Sequence, residues 1–263
     1  MKIINDNELF RPRLVVFLDI LGFGKMVYDA SGSADLEKYK KIDVALERIQ
    51  SISDPLGANA VPHLEVNIFS DSVILTVPPE KDTINALFSA LSRLMWDLMK
   101  LGVWVRGGVS VGKHSRNPQR PWGPAIIDAY RIENEIASFP RIALGAKALK
   151  LTSELGLLNS MSRISRDGDG VYSIDSIHFI LGLIASKDET SPPETDILII
   201  RDQLEIAHDG AVENPSVYKK INKLCAQWDS YFEPLKCKLN RDYRTKSGKE
   251  SSLLDTIEET LDF

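Results

Sequence analysis

A continuous apolar run that ends at a carboxylate constrains the fold of this chain more than any other feature. Residues 14–18 read Leu-Val-Val-Phe-Leu, and Asp19 follows them directly. An unbroken run of β-forming residues is typical of a central strand that is buried on both faces of a sheet. Gly22 and Gly24 come just after the carboxylate. A carboxylate and glycines at the point where a buried strand leaves the core indicate a functional site at that end of the sheet.

The pattern of apolar residues up to residue 150 predicts alternating strands and helices. Helical spacing marks three amphipathic helices, at residues 34–52, 83–101 and 123–137. Strand-like segments lie at residues 64–69, 72–77, 103–112 and 141–145. The polar pair Ser70 and Asp71 separates two of these segments and predicts a tight hairpin with Asp71 at its tip. The resulting order, β-α-β-β-α-β-α-β, is a ferredoxin-like arrangement of the α+β class.

The chain after residue 150 carries weaker patterns and no motif that indicates a function. Residues 171–183 and 197–200 are apolar enough to be strands, and residues 216–239 have the pattern of a long amphipathic helix. We therefore predict two parts. The first is a core at residues 10–150, and the second is a mostly helical C-terminal α/β extension at residues 151–263, which packs on the core or at an interface between protomers.

Charge and cysteine content argue against several functional classes. The chain has 32 Lys and Arg against 37 Asp and Glu, a formal charge of −5, whereas a nucleic-acid-binding domain usually carries a basic patch. Cys225 and Cys237 have no second Cys or His close by, so the sequence predicts neither a disulfide framework nor a zinc site. No apolar run reaches about 18 residues, and the start lacks a signal-peptide pattern. We expect a cytoplasmic protein with no membrane or nucleic-acid partner.

Two aspartates are candidates for metal ligation. Asp19 ends the first predicted strand, Asp71 lies at the hairpin tip, and the predicted strand order places them side by side. Carboxylate oxygens are the hard ligands that Mg²⁺ and Mn²⁺ prefer, and these ions commonly share their coordination with substrate phosphates. The main-chain carbonyl of Ile20 adds a third oxygen. The pattern therefore favours a Mg²⁺ or Mn²⁺ site over the alternative, in which Asp19 caps a helix and Asp71 only forms a turn.

Four segments occur in an order that resembles the catalytic domain of class III nucleotidyl cyclases. They read Phe-Leu-Asp-Ile-Leu-Gly-Phe at residues 17–23, Phe-Ser-Asp-Ser-Val at 69–73, Val-Arg-Gly-Gly-Val-Ser-Val-Gly at 105–112 and Gly-Pro-Ala-Ile-Ile-Asp-Ala-Tyr-Arg at 123–131. The resemblance covers residues 10–150. It implies a ferredoxin-like class III cyclase core, with an antiparallel-rich sheet and helices on one face, followed by the C-terminal α/β extension.

The residues at 123–133 and 139–145 resemble a narrower group, the pyrimidine cyclases of bacterial Pycsar antiphage systems. This resemblance implies conversion of UTP to 3′,5′-cyclic UMP and diphosphate, with two Mg²⁺ or Mn²⁺ ions held by Asp19, Asp71 and the Ile20 carbonyl. It implies that the cyclic nucleotide, rather than direct binding, activates a separate effector in antiphage defence. Because the family's site lies between two protomers, it also implies a homodimer with two shared sites.

The resemblance assigns roles to further residues. Arg131 matches the family arginine that binds the triphosphate or stabilises the transition state, for which a planar guanidinium is suited. The family asparagine four residues before it is replaced by Ile127. Tyr130 is a candidate substitute, because its ring can pack on ribose or base. Phe17, in the first matching segment, is assigned to nucleotide binding together with Tyr130.

Two positions that read adenine in adenylate cyclases, where they hold Lys and Asp, are Asn67 and Arg120 here. An Asn amide offers a donor and an acceptor, whereas an Arg can donate to a carbonyl oxygen but cannot accept from an amino group. The pair therefore favours a carbonyl-rich base, uracil or guanine, and the Pycsar resemblance favours uracil. CTP stays open because an Asn amide can flip. In the other interpretation, Asn67 and Arg120 are surface residues that contact no base.

Three alternative functions differ from this one in the residues that they require. A catalytically inactive cyclase-like nucleotide sensor is favoured by Ile127 and opposed by the retained aspartates and Arg131. A diguanylate cyclase would carry Gly-Gly-(Asp/Glu)-Glu-Phe where this hairpin has Phe-Ser-Asp-Ser. A Rossmann dehydrogenase is excluded because the third glycine after Gly22 and Gly24 is missing. Arg106 is predicted to form a structural ion pair inside the sheet.

Overall fold

A seven-stranded sheet forms the centre of the fold. The computed structural model describes residues 9–33, 35–52, 54, 60–117, 119–158, 163–186 and 195–245, with side chains up to residue 231. The strands are β1 (Phe10–Ile20), β2 (Glu65–Phe69), β3 (Ser72–Val77), β4 (Val105–Ser115), β5 (Ile142–Leu144), β6 (Ile164–Arg166) and β7 (Tyr172–Ile174). Their spatial order is β2-β3-β1-β4-β5-β7-β6, and all pairs are antiparallel except β4 with β5. The predicted α+β class and the two-residue hairpin are confirmed.

Eight α-helices are described around this sheet. They are α1 (Phe23–Ser33), α2 (Leu36–Ser51), α3 (Lys81–Lys100), α4 (Pro124–Arg131), α5 (Ala146–Glu154), α6 (Ser176–Ser186), α7 (Thr195–Ala211) and α8 (Pro215–Thr245). A π-helical segment, Ile132–Ile136, continues α4. The helices predicted at residues 34–52, 83–101, 123–137 and 216–239 are confirmed as α2, α3, α4 with its continuation, and α8. Among the described residues, no helix combines the length and the hydropathy that a membrane-spanning segment requires.

The strand predicted at residues 171–183 is confirmed only at Tyr172–Ile174, and the strand predicted at residues 197–200 is wrong. Strand β7 occupies only three residues, and the apolar residues after it belong to α6 and α7. Helix α6 is apolar almost all round because it is enclosed by other elements, and its Ile177 and Ile180 are both buried. A short apolar run has no periodicity that distinguishes a buried helix from a buried strand.

Helices lie on both faces of the sheet, whereas the cyclase resemblance implies helices on one face. Alternate residues of a strand point to opposite faces. Leu14, Val16 and Leu18 of β1 pack with α2 and α3 in the main apolar cluster. Val15 packs instead with two alanines of α4. In the described part of the chain, α4 lies mainly over β1 and β4 rather than over β2 and β3. Asp19 has the same parity as Val15, so it lies on the face that carries α4.

Gly108 permits the close approach of α4 to β4. A Cβ atom there would lie 2.2 Å from the carbonyl oxygen of Ala129 and 2.6 Å from the amide nitrogen of Glu133, and such main-chain atoms cannot move aside cheaply. We expect Gly108→Ala to lower the free energy of unfolding by roughly 1–3 kcal/mol. Gly112→Ala is the matched control on the same strand, since its nearest atom is the Cβ of Ala125 at 3.6 Å. Equal urea midpoints for the two variants would contradict this explanation.

The C-terminal helices pack on the core through a second apolar cluster. This cluster contains Trp96 of α3 and Trp104 before β4, together with residues of α6, α7 and α8. Trp96 stacks on Trp228 of α8 with ring centroids 6.0 Å apart, and its indole N–H donates to Asp196 of α7 at 3.3 Å. Strands β6 and β7 extend the sheet beyond residue 150. The division of the chain at that residue stays a prediction.

Candidate active site

The end of β1 and the β2–β3 turn are joined by a main-chain hydrogen bond. The amide of Ile20 donates to the carbonyl oxygen of Asp71 at 3.2 Å, and Asp19 is the register partner of Ser72. Ser70 has a φ of 57°, a left-handed conformation that two-residue hairpin turns use. The fold thus places Asp19 and Asp71 next to each other at one end of the sheet, as the predicted metal site requires.

Asp19 is half-buried and is paired with an arginine. Arg106 is its register partner on β4, and Nη2 of Arg106 lies 3.2 Å from Oδ2 of Asp19. Burial raises the pKa of Asp19 above its ordinary value, Arg106 opposes this rise, and the charge of Asp71 adds to it. The ion pair predicted for Arg106 is therefore confirmed, and Asp71 lies within electrostatic reach of Asp19.

A third carboxyl group completes this cluster. Glu133 lies in the π-helical segment after α4, and its Oε1 is 2.7 Å from Nη2 of Arg106. Only 3% of Glu133 is exposed. Burial raises the pKa of its carboxyl group, and Arg106 opposes the rise. Sequence reasoning misses Glu133 because a charged residue of an amphipathic helix is expected on the solvent face, although its spacing of four from Ala129 and eight from Ala125 places it on the buried face. Its partner Arg106 lies on β4, and no sequence spacing predicts that contact. π-Helical turns are frequent at functional sites.

We expect Glu133→Gln to lower the free energy of unfolding by about 1–2 kcal/mol. The amide keeps nearly the same shape but removes the negative charge that lies 2.7 Å from Nη2 of Arg106, which leaves Arg106 with Asp19 as its charge partner in this cluster. Glu135→Gln, an exposed change in the same π-helical segment, is the control and should change stability by less than about 0.5 kcal/mol. Urea unfolding at pH 7 compares the two variants. If they unfold alike, the buried pair does not stabilise the fold.

The donor set fits a Mg²⁺ or Mn²⁺ ion whose coordination is completed by a substrate. Asp19, Asp71 and the Ile20 carbonyl supply only oxygen ligands, which both ions prefer. Across the described ranges, no group of three or more His, Cys, Asp or Glu side chains is arranged to hold a metal ion. Two carboxylates are too few for an all-protein cage, but Mg²⁺ is commonly bound by one or two carboxylates plus substrate phosphates.

An aromatic pair lies on the same face of the sheet as Asp19. Phe17 is two residues before Asp19 on β1, so the two side chains share a face. The ring of Tyr130 meets the ring of Phe17 edge to face, with centroids 5.4 Å apart. Asn67 lies in the same row of the sheet, because it pairs with Ile74 and Ile74 pairs with Phe17. The structure therefore groups three of the predicted nucleotide-binding residues near the aspartates.

Arg120 lies far from this group within one protomer. Its carbonyl oxygen accepts a hydrogen bond from Oγ of Ser115 at 3.0 Å, at the end of β4 that is opposite to Arg106. The strand between Arg106 and Ser115 spans roughly 30 Å at about 3.3 Å per residue. The structure therefore does not bring Arg120 together with Asn67 or Asp19 in a single chain. A base that contacts both Asn67 and Arg120 would have to lie between two chains.

Arg131 and Ile127 lie on the exposed side of α4. Residues four apart share a face of a helix, and this face is open in the single chain, where Ile127 is 53% exposed and Tyr130 is 49% exposed. Arg131, the last residue of α4, is exposed as well. The arginine that the cyclase resemblance assigns to catalysis is thus available to a ligand or to a second chain.

Comparisons with known proteins give likenesses of fold. No family model matches the chain, and no curated protein matches it. Among solved structures, it resembles the monomeric guanylyl cyclase domain of a RhoGC fusion protein from the aquatic fungus Blastocladiella emersonii, with 13% identity, a TM-score of 0.42, and coverage of 63% of this chain and 95% of that one.

Two further solved structures show the same degree of likeness. A bacterial light-regulated adenylyl cyclase has 14% identity and a TM-score of 0.45, with 73% of this chain and 56% of that one covered. A class III adenylyl cyclase-like ATP-binding protein from Pseudomonas aeruginosa has 11% identity and a TM-score of 0.36, with 85% and 44% covered. Because all three TM-scores are below 0.5, we infer no function for this chain from these similarities.

Proposed function

We propose that this protein is a nucleotidyl cyclase that converts UTP to 3′,5′-cyclic UMP and diphosphate. The observation that carries the proposal is the hydrogen bond from the Ile20 amide to the Asp71 carbonyl, because it fixes two aspartates side by side at one end of the sheet. Both aspartates fall in segments that resemble class III cyclases. Cyclic UMP would then reach a separate effector in antiphage defence, as the Pycsar resemblance implies.

The proposed reaction joins the ribose 3′-oxygen to the α-phosphorus of UTP, breaks the bond from that phosphorus to diphosphate, and releases the proton of the 3′-hydroxyl to water. Two Mg²⁺ or Mn²⁺ ions, when bound, supply neutralisation of the triphosphate charge and lower the pKa of the 3′-hydroxyl. Asp19, Asp71 and the Ile20 carbonyl would hold these ions. The remaining work of the chain is to position the substrate and to compensate charge.

Arg106 is a further candidate for contact with the triphosphate. Its Nη2 forms ion pairs with both Asp19 and Glu133. Its Nε is buried and has no hydrogen-bond partner within the part of the chain that the structure describes. A buried N–H group without an acceptor is costly, and a phosphate oxygen is an acceptor that a guanidinium binds well. Arg106 would therefore have a binding role in addition to the ion pair predicted for it.

The grouping of Asn67 with Phe17 and Tyr130 supports base binding on this face of the sheet. Aromatic rings stack on the face of any base, so the two rings alone do not select one. The amide of Asn67 offers one donor and one acceptor, which match the alternating N–H and carbonyl groups on the edge of uracil. The alternative substrate is CTP, because the amide can flip to present the opposite pattern.

We propose that the complete site is shared between two copies of the chain. Within one chain, Arg120 lies roughly 30 Å along β4 from the end that carries the aspartates. Arg131 faces outward, and a second copy that supplies Arg131 and Arg120 would close the site with two-fold symmetry. Phe69, at the hairpin beside Asp71, is 84% exposed. A large apolar residue that is exposed in the single chain is often buried in the interface between two subunits.

Mixing two inactive variants tests the shared site. In a mixed dimer of Asp71→Ala and Arg131→Ala chains, one site has an intact metal half and an intact arginine half. An equal mixture should therefore recover about one quarter of wild-type activity if dimers form at random. The matched control mixes Asp71→Ala with Asp19→Ala, where both sites of every dimer stay defective. If the first mixture recovers no more activity than the control at any ratio, the site is not shared.

The function itself is tested by incubating the purified chain with Mn²⁺ and each of the four ribonucleoside triphosphates separately. Products are identified by mass spectrometry, and cyclic UMP is the expected one. Cyclic CMP or cyclic GMP would keep the cyclase and change the base, whereas cyclic AMP would contradict base recognition by Asn67 and Arg120 as a pair. If no product forms, the inactive sensor that Ile127 favours replaces this proposal, and nucleotide binding without turnover is its signature.

A further inference from the structure

Arg106 lies between two carboxyl groups of the candidate site. Its Nη2 donates a hydrogen bond to Oδ2 of Asp19 at 3.2 Å. The same nitrogen lies 2.7 Å from Oε1 of Glu133. Although this second contact is the shorter one, Oε1 of Glu133 accepts no hydrogen bond from any residue that the structure describes. The N–H group of Arg106 is therefore directed at Asp19, while a buried acceptor beside it is not used.

The unused acceptor can take over the N–H group that Asp19 now accepts. Glu133 is buried, and a buried carboxylate oxygen without a hydrogen-bond donor costs free energy. Nη2 of Arg106 is already within hydrogen-bond distance of this oxygen. A small rotation of the guanidinium group would therefore direct an N–H group at Glu133 instead of Asp19, without moving the main chain of either strand.

Metal binding by Asp19 requires a rearrangement of this kind. Oδ2 of Asp19 accepts the hydrogen bond from Arg106, so this oxygen is less available to a divalent cation. A guanidinium group and a divalent cation beside one carboxylate also repel each other. Arg106 cannot leave the site, because it is the register partner of Asp19 on β4 and its side chain is 14% exposed. It therefore needs a second carboxylate close by, and Glu133 supplies one.

We infer that Glu133 is a positioning residue that holds the guanidinium group of Arg106 away from Asp19 when Asp19 binds a divalent ion. The inference rests on the metal site of the proposed function and extends it, because it makes the π-helical segment after α4 part of that site. Glu133 acts through Arg106 and not as a ligand itself. Residues that contact the neighbours of a metal ligand commonly change metal affinity in this way.

Binding of Mn²⁺ alone tests this inference without a nucleotide. Water-proton relaxation reports bound Mn²⁺, and Glu133→Gln should raise the dissociation constant about tenfold, because Arg106 then has Asp19 as its charge partner in the cluster. Arg106→Met breaks the same ion pair but should bind Mn²⁺ at least as tightly as the wild type, since it removes the competing cation. A purely structural role of the ion pair predicts weaker binding in both variants.

Glu133→Asp separates the contact from the charge. It keeps the negative charge but shortens the side chain by one methylene group, so the carboxylate withdraws from Nη2 of Arg106. Its Mn²⁺ affinity should resemble that of Glu133→Gln, whereas wild-type affinity would mean that the charge alone matters and would overturn the inference. Glu135→Gln, an exposed change in the same segment, is the matched control and should change the dissociation constant less than about twofold. All titrations are made at a temperature where thermal unfolding shows each variant to be folded.

The outcomes distinguish this inference from the proposed function. Equal Mn²⁺ affinities for Glu133→Gln and Glu135→Gln would overturn it, as would weaker binding by Arg106→Met or a wild-type chain that does not bind Mn²⁺. If the Mn²⁺ affinities are as expected while no triphosphate is cyclised, the role of Glu133 stands and the cyclase proposal fails. If a triphosphate is cyclised while Glu133→Gln binds Mn²⁺ like the wild type, the cyclase proposal stands and this inference fails.

Discussion

Asp71→Asn is expected to abolish nucleotide cyclisation while leaving the fold intact. The carbonyl oxygen of Asp71, which accepts the hydrogen bond from Ile20, belongs to the main chain and is unchanged by the substitution. An asparagine has nearly the same shape but lacks the negative charge that a divalent cation needs from a ligand at this position. Loss of charge neutralisation worth several kcal/mol in the transition state corresponds to a decrease in kcat of roughly a thousandfold.

Asp71 is a cleaner test than Asp19 because Asp19 also balances the charge of Arg106. Its removal would change stability and catalysis together. The control is Asp202→Asn on the exposed surface of α7, where the side chain is 61% exposed, and its activity should equal that of the wild type. Initial rates are measured with each variant at saturating Mn²⁺. If Asp71→Asn retains more than about one tenth of the activity, the two-aspartate site is not the catalytic centre.

The parts of the site that the sequence predicts depend on local signals. The run at residues 14–18 identifies a buried strand by its composition, and the polar pair Ser70 and Asp71 marks the hairpin. Since the order of these elements matches a ferredoxin-like sheet, the neighbouring positions of Asp19 and Asp71 follow from topology without any knowledge of side-chain contacts. The same reasoning fails at residues 171–183, where a helix enclosed on all sides has the apolar run of a strand.

Other parts of the site depend on tertiary structure and have no local signal. The contact between Glu133 and Arg106 joins the π-helical segment to β4, and no spacing in the sequence predicts it. For Asn67 and Arg120, a signal is present in the sequence but the distance that it predicts is not found in the single chain. Family spacing predicts that they read one base, whereas the register of β4 places them far apart in a single chain. Motif spacing does not determine distances across a sheet.

Arg141 connects elements of the C-terminal half of the sheet through ion pairs and hydrogen bonds. Its guanidinium group donates at 2.8 Å to Asp167, to Asp169 and to the carbonyl oxygen of Ile136. It also lies over the ring of Phe139, 4.5 Å from the ring centroid. Only 2% of the residue is exposed. Arg141 therefore joins the turn between β6 and β7 to the end of the π-helical segment.

Arg141→Met is expected to lower the free energy of unfolding by about 3–5 kcal/mol at pH 7, because Asp167 is left buried without its cation. Burial already raises the pKa of Asp167, and Arg141 opposes that rise. Without the guanidinium group, the folded variant binds a proton to Asp167 more readily than its unfolded state does, so its stability increases as the pH falls. Urea unfolding should therefore show a smaller difference from the wild type at pH 4 than at pH 7.

A second substitution separates the lost charge pair from lost packing at Arg141. In the double variant Arg141→Met with Asp167→Asn, no carboxylate remains buried at position 167, so part of the lost stability should return. Arg166→Met, which removes an exposed arginine from β6, is the control and should change the free energy of unfolding by less than about 0.5 kcal/mol. A double variant that is no more stable than Arg141→Met alone, with a pH-independent difference from the wild type, would mean that packing rather than charge explains the loss.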